Sequence, residues 1–274
     1  MDWRRDLNTL SEIVSDHIKF RRQLLKLAKS DIVKQYRGAA LGWMWAVISP
    51  AVTIFVFWFA FSIGVRRGHD VDGYPFFLWM ISGFIPWFYM KATLTGGAGS
   101  IRKYKYLVKR IKFPVDTIPT FVSLSNLIVN LALQIIMIFI FMGFGFMPTK
   151  YCLQIPLIII GMFIFFTAWS LMAGMLSAMS KDFLNLVKSV TQALFWLSGV
   201  IYDANRITIP WIRETMLFNP ITLVANGYRN AMIYHRWIWE YPGQIRNFVI
   251  MTVIMCVLAI WAYKRLKKEI PDVI

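Results

Sequence analysis

The stretch that decides the fold class is residues 117–146, which read TIPTFVSLSNLIVNLALQIIMIFIFMGFGF and contain no charged side chain. A helix needs about 20 consecutive, mostly apolar residues to cross the ~30 Å hydrocarbon core of a bilayer. This stretch is therefore predicted to be a membrane-spanning α-helix. Five further stretches are long and apolar enough for the same prediction, namely 41–65, 75–99, 154–179, 184–202 and 246–263.

The overall composition agrees with an all-α integral membrane protein that has six transmembrane helices. Of the 274 residues, 58% are hydrophobic and 16% are charged. A typical soluble domain has about 45–50% apolar and about 25% charged residues, so one soluble core cannot hide this apolar excess. The two cysteines, Cys152 and Cys256, lie far apart in the chain and are too few for a disulfide scaffold.

The net charge of +16 predicts how the chain is oriented in the membrane. In a soluble protein such a charge would indicate nucleic-acid binding, but the cytoplasmic loops of membrane proteins also collect Lys and Arg. With the N-terminus inside, the inner segments carry 21 of the 30 Lys and Arg residues and the outer segments carry eight. We therefore predict that both termini are cytoplasmic and that no nucleic acid is bound; handling of another polyanion is a second explanation of the charge.

The chain divides into a cytoplasmic N-terminus over residues 1–36, a transmembrane domain over 37–266 and a cytoplasmic tail over 267–274. Residues 17–29 read HIKFRRQLLKLAK, a basic amphipathic pattern that is typical of a helix in the headgroup layer. A solvated helix packed on a partner protein is the alternative.

In the long connection 203–246, the run from Leu217 to Tyr234 is too short and polar for a span, and Asn219-Pro220 and Gly227 interrupt it. It is predicted to form two short helices that dip into the outer leaflet, shielded by protein.

Small residues recur every four positions in two spans, a spacing that predicts close packing of helix backbones. The two sets are Gly38, Gly42 and Ala46, and Ser170, Gly174 and Ala178.

Polar side chains also recur every four positions in the stretch 117–146, at Asn126, Asn130 and Gln134. Polar groups in hydrocarbon need partners, so this stripe predicts either bonds between helices or the lining of a wet pathway.

Lys91 is a charged residue within the predicted span 75–99, and two roles are open for it. It either extends its stem to the inner interface or meets an anionic group of a substrate.

Aromatic side chains crowd the stretch 41–65, where Phe55, Trp58 and Phe59 are spaced to share one helical face and Trp43 lies near the start. Rings at span ends usually form belts at the membrane interface. Their faces also offer stacking surfaces for sugars, so a sugar track along these rings is the alternative.

The loop 100–113 reads SIRKYKYLVKRIKF, which is short, strongly basic and predicted to be cytoplasmic. It is either an ordinary positively charged inner loop or a docking helix for a cytoplasmic partner. The docking candidates are Tyr104, Tyr106, Leu107, Lys109 and Arg110.

Catalytic and nucleotide-binding motifs are missing from the sequence. There is no G-x-x-x-x-G-K-[ST] phosphate loop, so the chain is not expected to bind ATP. The three histidines, His17, His69 and His235, lie in separate segments, and no spacing indicates a metal site or a catalytic triad. We therefore expect neither an enzyme nor a cofactor in this chain.

Several short motifs together resemble the ABC-2 type permeases that export polysaccharides. They occur in this order: YRG at 36–38, LGWMW at 41–45, GFIPWF at 83–88, LVKRIKFP at 107–114, and Asn219-Pro220 followed by GYR at 227–229. Within that family, YRNAMIYH at 228–235 and the following Trp237 resemble the wall teichoic acid permeases. The resemblance extends from about residue 30 to the C-terminus.

The resemblance implies a homodimer of six-span subunits in the bacterial cytoplasmic membrane, working with two copies of a phosphate-loop ATPase that binds ATP and Mg²⁺. It implies a polymer carried on undecaprenyl diphosphate as substrate, with wall teichoic acid as the main expectation. It also implies that 100–113 is a coupling helix, 17–29 an interface helix, and 210–234 re-entrant outer helices.

Two other substrate classes share this architecture, namely O-antigen or capsular polysaccharide and, more distantly, drugs or lipids. A membrane-embedded transferase would need clustered acidic or His residues at one membrane face, and the sequence shows no such cluster. For the exporter, Trp43, Phe55, Trp58 and Phe59 are expected to border the substrate path. Arg37 and Lys91 are expected to capture the diphosphate, because a cation in low dielectric binds a phosphate more strongly than one in water.

Overall fold

The computed structural model describes residues 3–65, 70–111 and 113–273, and within these ranges it is all-helical. No β-strand occurs in these ranges. In chain order the helices are α1 Trp3–Lys19, α2 Arg21–Tyr36, α3 Trp45–Phe59, α4 Phe76–Lys103, α5 Lys105–Ile111, α6 Thr117–Gly143, α7 Ile155–Met179, α8 Lys181–Leu197, α9 Pro210–Met216, α10 Pro220–Met232, α11 Pro242–Leu266 and α12 Ile270–Val273. A 3₁₀ turn precedes α3, and a π-helical segment, Ala60–Val65, follows it.

Four helical stretches in the described ranges are long and apolar enough to cross a membrane. They are Gly42–Ser62, Thr117–Gly143, Lys150–Met179 and Pro242–Leu266, and they match four of the six predicted spans. The other two predicted spans, 75–99 and 184–202, fall on α4 and α8. α8 has only 17 residues, and α4 mixes its apolar side chains with Gly, Ser and Thr. The count of six spans therefore stays a prediction.

Helix α4 lies at the centre of the fold, where it contacts α6, α7, α8 and α10. The structure describes α4 throughout, and Lys91 and Lys103 are its only exposed residues. A helix surrounded by other helices gains its stability from close packing and hydrogen bonds rather than from contact with lipid. This explains why a hydropathy pattern alone identifies α4 less clearly than α6 or α7.

The small residues of α7 form the closest contact with α4. A Cβ added at Gly97 of α4 would lie 2.0 Å from Ser170 Oγ, and a Cβ at Gly174 would lie 3.3 Å from the Gly97 carbonyl oxygen. Ala178, the third residue of this set, is fully buried. The packing predicted from the spacing of Ser170, Gly174 and Ala178 is therefore confirmed.

The same prediction is wrong for Gly38, Gly42 and Ala46. Gly38 and Gly42 have positive φ angles of 85° and 50°, and a Cβ added at either would meet no atom within 4 Å. Because L-residues with side chains rarely adopt positive φ, these glycines make the turn from α2 into α3 instead.

The N-terminal segment forms two helices rather than one helix over 17–29. α1 ends at Lys19 and α2 begins at Arg21, with Phe20 between them at φ −97° and ψ 10°. The Phe20 ring packs edge-on against Phe113, with 5.3 Å between ring centroids. This contact across about 90 residues of chain fixes the break, and the local amphipathic pattern does not encode it.

The opposite ends of α4 define two ends of the fold. The α5 end holds α1, α2, α5 and the start of α6, and the α10 end holds α9, α10 and the start of α11. At the α10 end, residues 210–234 contain two short helices that are separated by residues 217–219. Asn219 starts α10 because its side chain accepts a hydrogen bond from the Ile221 N–H at 3.0 Å. Gly227 does not interrupt α10, so the prediction of two helices within the run from Leu217 to Tyr234 is wrong: that run holds α10 alone. The predicted position of α9 and α10 within the membrane stays a prediction.

Candidate functional site

A cavity of about 390 Å³ lies where α2, the start of α3, the middle of α4 and α6 meet. We name it the α2–α6 cavity. Polar and aromatic side chains share its wall. The lining residues are Gln35, Tyr36, Ala39, Trp45, Ala46, Ser49, Pro50, Phe88, Tyr89, Ala92, Asn126, Val129, Asn130 and Leu133.

The polar stripe of α6 bonds to neighbouring helices. Asn130 Nδ2 donates to the Ile85 carbonyl of α4 at 2.6 Å, and Asn126 Nδ2 donates to Thr93 Oγ1 at 3.3 Å. Gln134 Nε2 donates to Asn130 Oδ1 at 2.7 Å and to the Tyr228 hydroxyl of α10 at 2.6 Å. Bonding between helices, the first of the two predicted roles, is therefore what the structure shows.

The second predicted role of the stripe, lining a pathway, concerns the same side chains. Asn126 and Asn130 contribute to the wall of the α2–α6 cavity, whereas Gln134 does not. Asn126 is half-buried, so its amide borders the open space of the cavity, whereas Asn130 is 1% exposed and uses both its Nδ2 and its Oδ1 in the network. An amide offers both a donor and an acceptor, which suits a hydroxyl-rich ligand.

Arg37 and Lys91, the two cations predicted to capture the diphosphate, lie next to residues of the cavity wall in the sequence. Arg37 is exposed and directly follows Tyr36, the last residue of α2 and part of the cavity wall. Lys91 is exposed on α4 between the lining residues Phe88 and Ala92. The structure therefore brings the segments of both cations to one cavity.

The predicted ring residues of α3 do not form one set. Phe55, Trp58 and Phe59 contact one another, with centroid distances of 6.0 Å for Phe55–Trp58 and 6.3 Å for Phe55–Phe59, so the prediction of a shared face is confirmed. Phe55 and Trp58 line a second cavity, of about 460 Å³, towards the α10 end. Trp43 lies apart from both cavities and is 72% exposed, while Trp45 lines the α2–α6 cavity instead.

The predicted docking residues of the loop 100–113 fall into buried and exposed groups. Tyr104 and Leu107 are buried within the chain, at 3% and 4% exposure. Tyr106 and Lys109 are exposed on α5. The side chain of Arg110 and all of Lys112 lie outside the described residues. Tyr104 and Leu107 therefore anchor α5 to the fold, and a partner protein can reach only the exposed side of this helix.

Asp31 of α2 is a buried acid that the sequence patterns did not single out. Lys103 Nζ lies 2.7 Å from its Oδ1, Gln35 Nε2 donates to its Oδ2 at 3.0 Å, and the Tyr104 hydroxyl also donates to it. Burial alone raises the pKa of Asp31, but the hydrogen bonds from Lys103 and Tyr104 outweigh it, so the pKa lies below its ordinary value. The sequence did hold one signal for Asp31, namely an acidic residue within a basic segment.

Arg229, which lies in the GYR motif, holds the α10 end together. Its guanidinium donates to the carbonyls of Gly199, Val200 and Tyr202 just after α8, and it stacks 3.7 Å from the Trp79 ring centroid. A Cβ at Gly83 would lie 2.7 Å from Arg229 Nη2, so the glycine of the GFIPWF motif makes room for the guanidinium. Two motifs that are far apart in sequence thus form one contact.

His17 joins α1 to the start of α6. Its Nε2 lies 2.8 Å from Thr120 Oγ1, and its Nδ1 lies 2.7 Å from the Ile13 carbonyl and 3.4 Å from Asp116 Oδ2. Burial lowers the pKa of His17, but the nearby Asp116 carboxylate and the hydrogen bond to the Ile13 carbonyl outweigh it, so the pKa lies above its ordinary value.

Two curated relatives show what this chain is similar to. The O-antigen export system permease protein RfbA of Myxococcus xanthus is 25% identical over 226 residues, which cover 82% of this chain and 85% of the relative. The protein of the same name from Klebsiella pneumoniae is 22% identical over 255 residues, covering 92% and 94%. Both names correspond to the O-antigen alternative raised from the sequence rather than to the teichoic acid expectation.

The family comparison covers most of the chain. The match extends over residues 22–233, from the start of α2 to the residue that follows α10. It thus includes the α2–α6 cavity, α5 and the contact between Gly83 and Arg229. The chain belongs to the ABC-2 type transporter family.

Proposed function

We propose that this chain is the membrane permease of an ATP-driven exporter for a polysaccharide of the O-antigen type, carried on a polyprenyl diphosphate. Membership of the ABC-2 type transporter family supports the transport class, and the names of both relatives support the substrate class. Wall teichoic acid, the main expectation from the sequence, has less support, because neither relative is named for it.

The observation that carries the proposal is the α2–α6 cavity with its two flanking cations. Arg37 provides a guanidinium that pairs two phosphate oxygens at once. Lys91 provides a second charge on a helix that is otherwise buried over its middle. Asn126 offers an amide donor and acceptor inside the cavity to the sugar next to the diphosphate. The lipid tail of such a substrate stays in the inner leaflet while its head occupies the cavity.

We propose that the working unit is a homodimer of six-span subunits in the bacterial cytoplasmic membrane, with both termini cytoplasmic. Helices α4 and α8 then supply the two spans beyond the four apolar ones, and α9 and α10 re-enter from the outer side. Within one chain, Ile54 is the only buried residue of the segment Gly42–Ser62, all of which the structure describes. This face of α3 is therefore available to a second copy, with the Phe55, Trp58 and Phe59 rings beside the polymer path.

The ATPase partner docks on the exposed side of α5 in this proposal. Tyr106 and Lys109 face outward there, while Tyr104 and Leu107 hold the helix in place. The partner supplies the phosphate loop and binds ATP and Mg²⁺. Hydrolysis moves the docked α5, and this motion opens the path between the two permease subunits.

The test is reconstitution of the permease with its ATPase in vesicles that contain a lipid-linked polysaccharide. Arg37→Gln and Lys91→Gln are expected to lose stimulation of ATP hydrolysis by the substrate while basal hydrolysis persists. Lys150→Gln is the control, because this exposed lysine lies at the α10 end, away from the cavity. Normal stimulation in both variants and in the double variant would refute capture by this pair.

The substrate class is tested in the same vesicles by comparing a polyprenyl diphosphate that carries a neutral polysaccharide with one that carries a poly(polyol phosphate). We expect the polysaccharide to stimulate hydrolysis and to be exported. Stimulation by the poly(polyol phosphate) alone would restore the teichoic acid interpretation.

A further inference from the structure

Asp31 occupies an unusual position for a carboxylate on a basic helix. Its neighbours along α2 include Lys29 and Lys34, yet its side chain has no exposed surface. A buried charge is costly unless it is paired and hydrogen-bonded. The groups that pair with it therefore define what α2 is attached to.

Those groups come from the corner between α4 and α5. Lys103 is the last residue of α4, and Tyr104 is the residue that separates α4 from α5. Lys34, less than one turn after Asp31, adds a second attachment, because its Nζ donates to the Tyr106 hydroxyl of α5 at 3.3 Å. The Tyr104 ring packs edge-on against Phe121 of α6 at 4.9 Å, which fixes the corner against a third helix.

The same helix continues directly into the α2–α6 cavity. Gln35, one turn after Asp31, donates to its Oδ2 at 3.0 Å and also lines the cavity, as does Tyr36. The carboxylate of Asp31 therefore bonds on one side to the corner that carries α5 and on the other side to the cavity wall. The distance along the helix from Asp31 to Tyr36 is only about 7.5 Å, at 1.5 Å per residue.

We propose that Asp31 is a positioning residue that makes α2 and the α4–α5 corner move as one body, so that a displacement of α5 moves the cavity wall at Gln35 and Tyr36. The inference rests on the proposed function for its consequence, since the moving force comes from the ATPase docked on α5. The Lys103 side chain is half exposed, but Asp31 is fully buried, so separating the pair would leave a buried carboxylate without its cation, and the bonded pair resists separation. Rigid elements joined in this way carry coupling between distant sites.

The experiment measures the distance between α2 and α5 in the complex of permease and ATPase. Spin labels are placed at Lys29→Cys and Lys105→Cys, both exposed, after Cys152 and Cys256 are replaced by Ala. With Asp31 intact, we expect one narrow distance distribution that is the same with and without ATP. With Asp31→Asn, which keeps the side-chain volume and removes the charge, we expect a broader distribution that changes when ATP is added.

A second readout separates positioning from stability alone. Asp31→Asn is expected to keep basal ATP hydrolysis and to lose substrate stimulation by about fivefold or more, the lower range of ordinary coupling between sites. Asp31→Glu, which restores the charge, is expected to recover part of the substrate stimulation. A purely structural role would lower basal and stimulated hydrolysis together, in proportion to the amount of folded complex.

Lys103→Met removes the other partner of the same ion pair. If Asp31→Asn does not fold, the distance and hydrolysis measurements are made on Lys103→Met, with the same expected results. Lys26→Gln, an exposed lysine on α2, is the matched control. Unchanged distances and unchanged stimulation in the test variant would overturn the inference. The distance measurement needs no polymer, so a wild-type complex that exports no polysaccharide refutes the proposed function without deciding the role of Asp31.

Discussion

The packing of α4 on α7 predicts that Gly97→Ala destabilises the fold whereas Gly96→Ala, one residue earlier, does not. At Gly97 an added Cβ would lie 2.0 Å from Ser170 Oγ and 2.5 Å from Ser170 Cβ. At Gly96 the nearest atoms, from Asn126 and Val122, are 3.9 Å away, an ordinary contact. The two substitutions have the same chemistry on the same helix and differ only in what the new methyl group meets.

The expected cost follows from the geometry. Carbon atoms pack best at about 3.5–4.0 Å, so the helices at Gly97 must separate by roughly 1 Å or more. Overpacking of this kind typically costs about 1–3 kcal/mol. Replacing Gly by Ala within a helix returns up to about 1 kcal/mol. We therefore expect Gly97→Ala to lose about 1–2 kcal/mol and Gly96→Ala to be neutral or slightly stabilising.

The assay is the apparent melting temperature of the purified permease in detergent, followed by size-exclusion chromatography with fluorescence detection. Gly97→Ala is expected to melt below the wild type, and adding Ser170→Gly is expected to recover part of the loss by removing the clashing side chain. Full recovery is not expected, because Ser170 Oγ also donates to the Thr93 carbonyl at 3.2 Å. Equal melting of the Gly97→Ala and Gly96→Ala variants would show that the close contact between α4 and α7 is absent.

Three further predictions use other contacts. Arg229→Lys is expected to lower stability by about 2 kcal/mol, because a lysine cannot reproduce the planar fork that bonds three carbonyls; unchanged melting would contradict this. The raised pKa of His17 means that its ion pair with the Asp116 carboxylate contributes its full stability just below the ordinary histidine pKa and loses it as pH rises through the folded-state pKa. The melting temperature is thus expected to fall as pH rises above about 6.5, the ordinary histidine value, and His17→Gln is expected to flatten that dependence; an identical slope would refute it. Leu107→Asp is expected to lower the melting temperature of the permease alone, whereas Lys109→Gln is expected to weaken only copurification with the ATPase; the reverse pattern would place Leu107 on the docking surface.

The sequence predicted best the helices that are long and uniformly apolar. The stretch 117–146 became Thr117–Gly143, and 154–179 became Ile155–Met179, because long apolar runs need only their own composition to form helices in lipid. α4 was harder to define by hydropathy because other helices surround it. For such a helix, a glycine that lets a neighbour approach matters more than mean hydropathy.

The features that the sequence did not predict depend on contacts between distant residues. The break at Phe20 depends on Phe113, and the buried charge of Asp31 depends on Lys103 and Tyr104. A periodic pattern reports which face of one helix is apolar, but it does not report which residue of another helix lies opposite. The two cations Arg37 and Lys91 were selected by charge and position, and only the fold shows that their segments border one cavity.

The contrast between α3 and α4 affects how such a protein changes over time. Most residues of α4 are buried or half-buried, so many substitutions there meet a neighbouring helix, whereas α3 has most of its surface outside the chain. Substitutions in α3 and the turn before it are therefore expected to disturb the fold of the chain least, which makes this segment the adaptable part of the molecule. The stable part of the molecule and its adaptable part lie side by side, and the adaptable part is short enough to be transplanted between relatives.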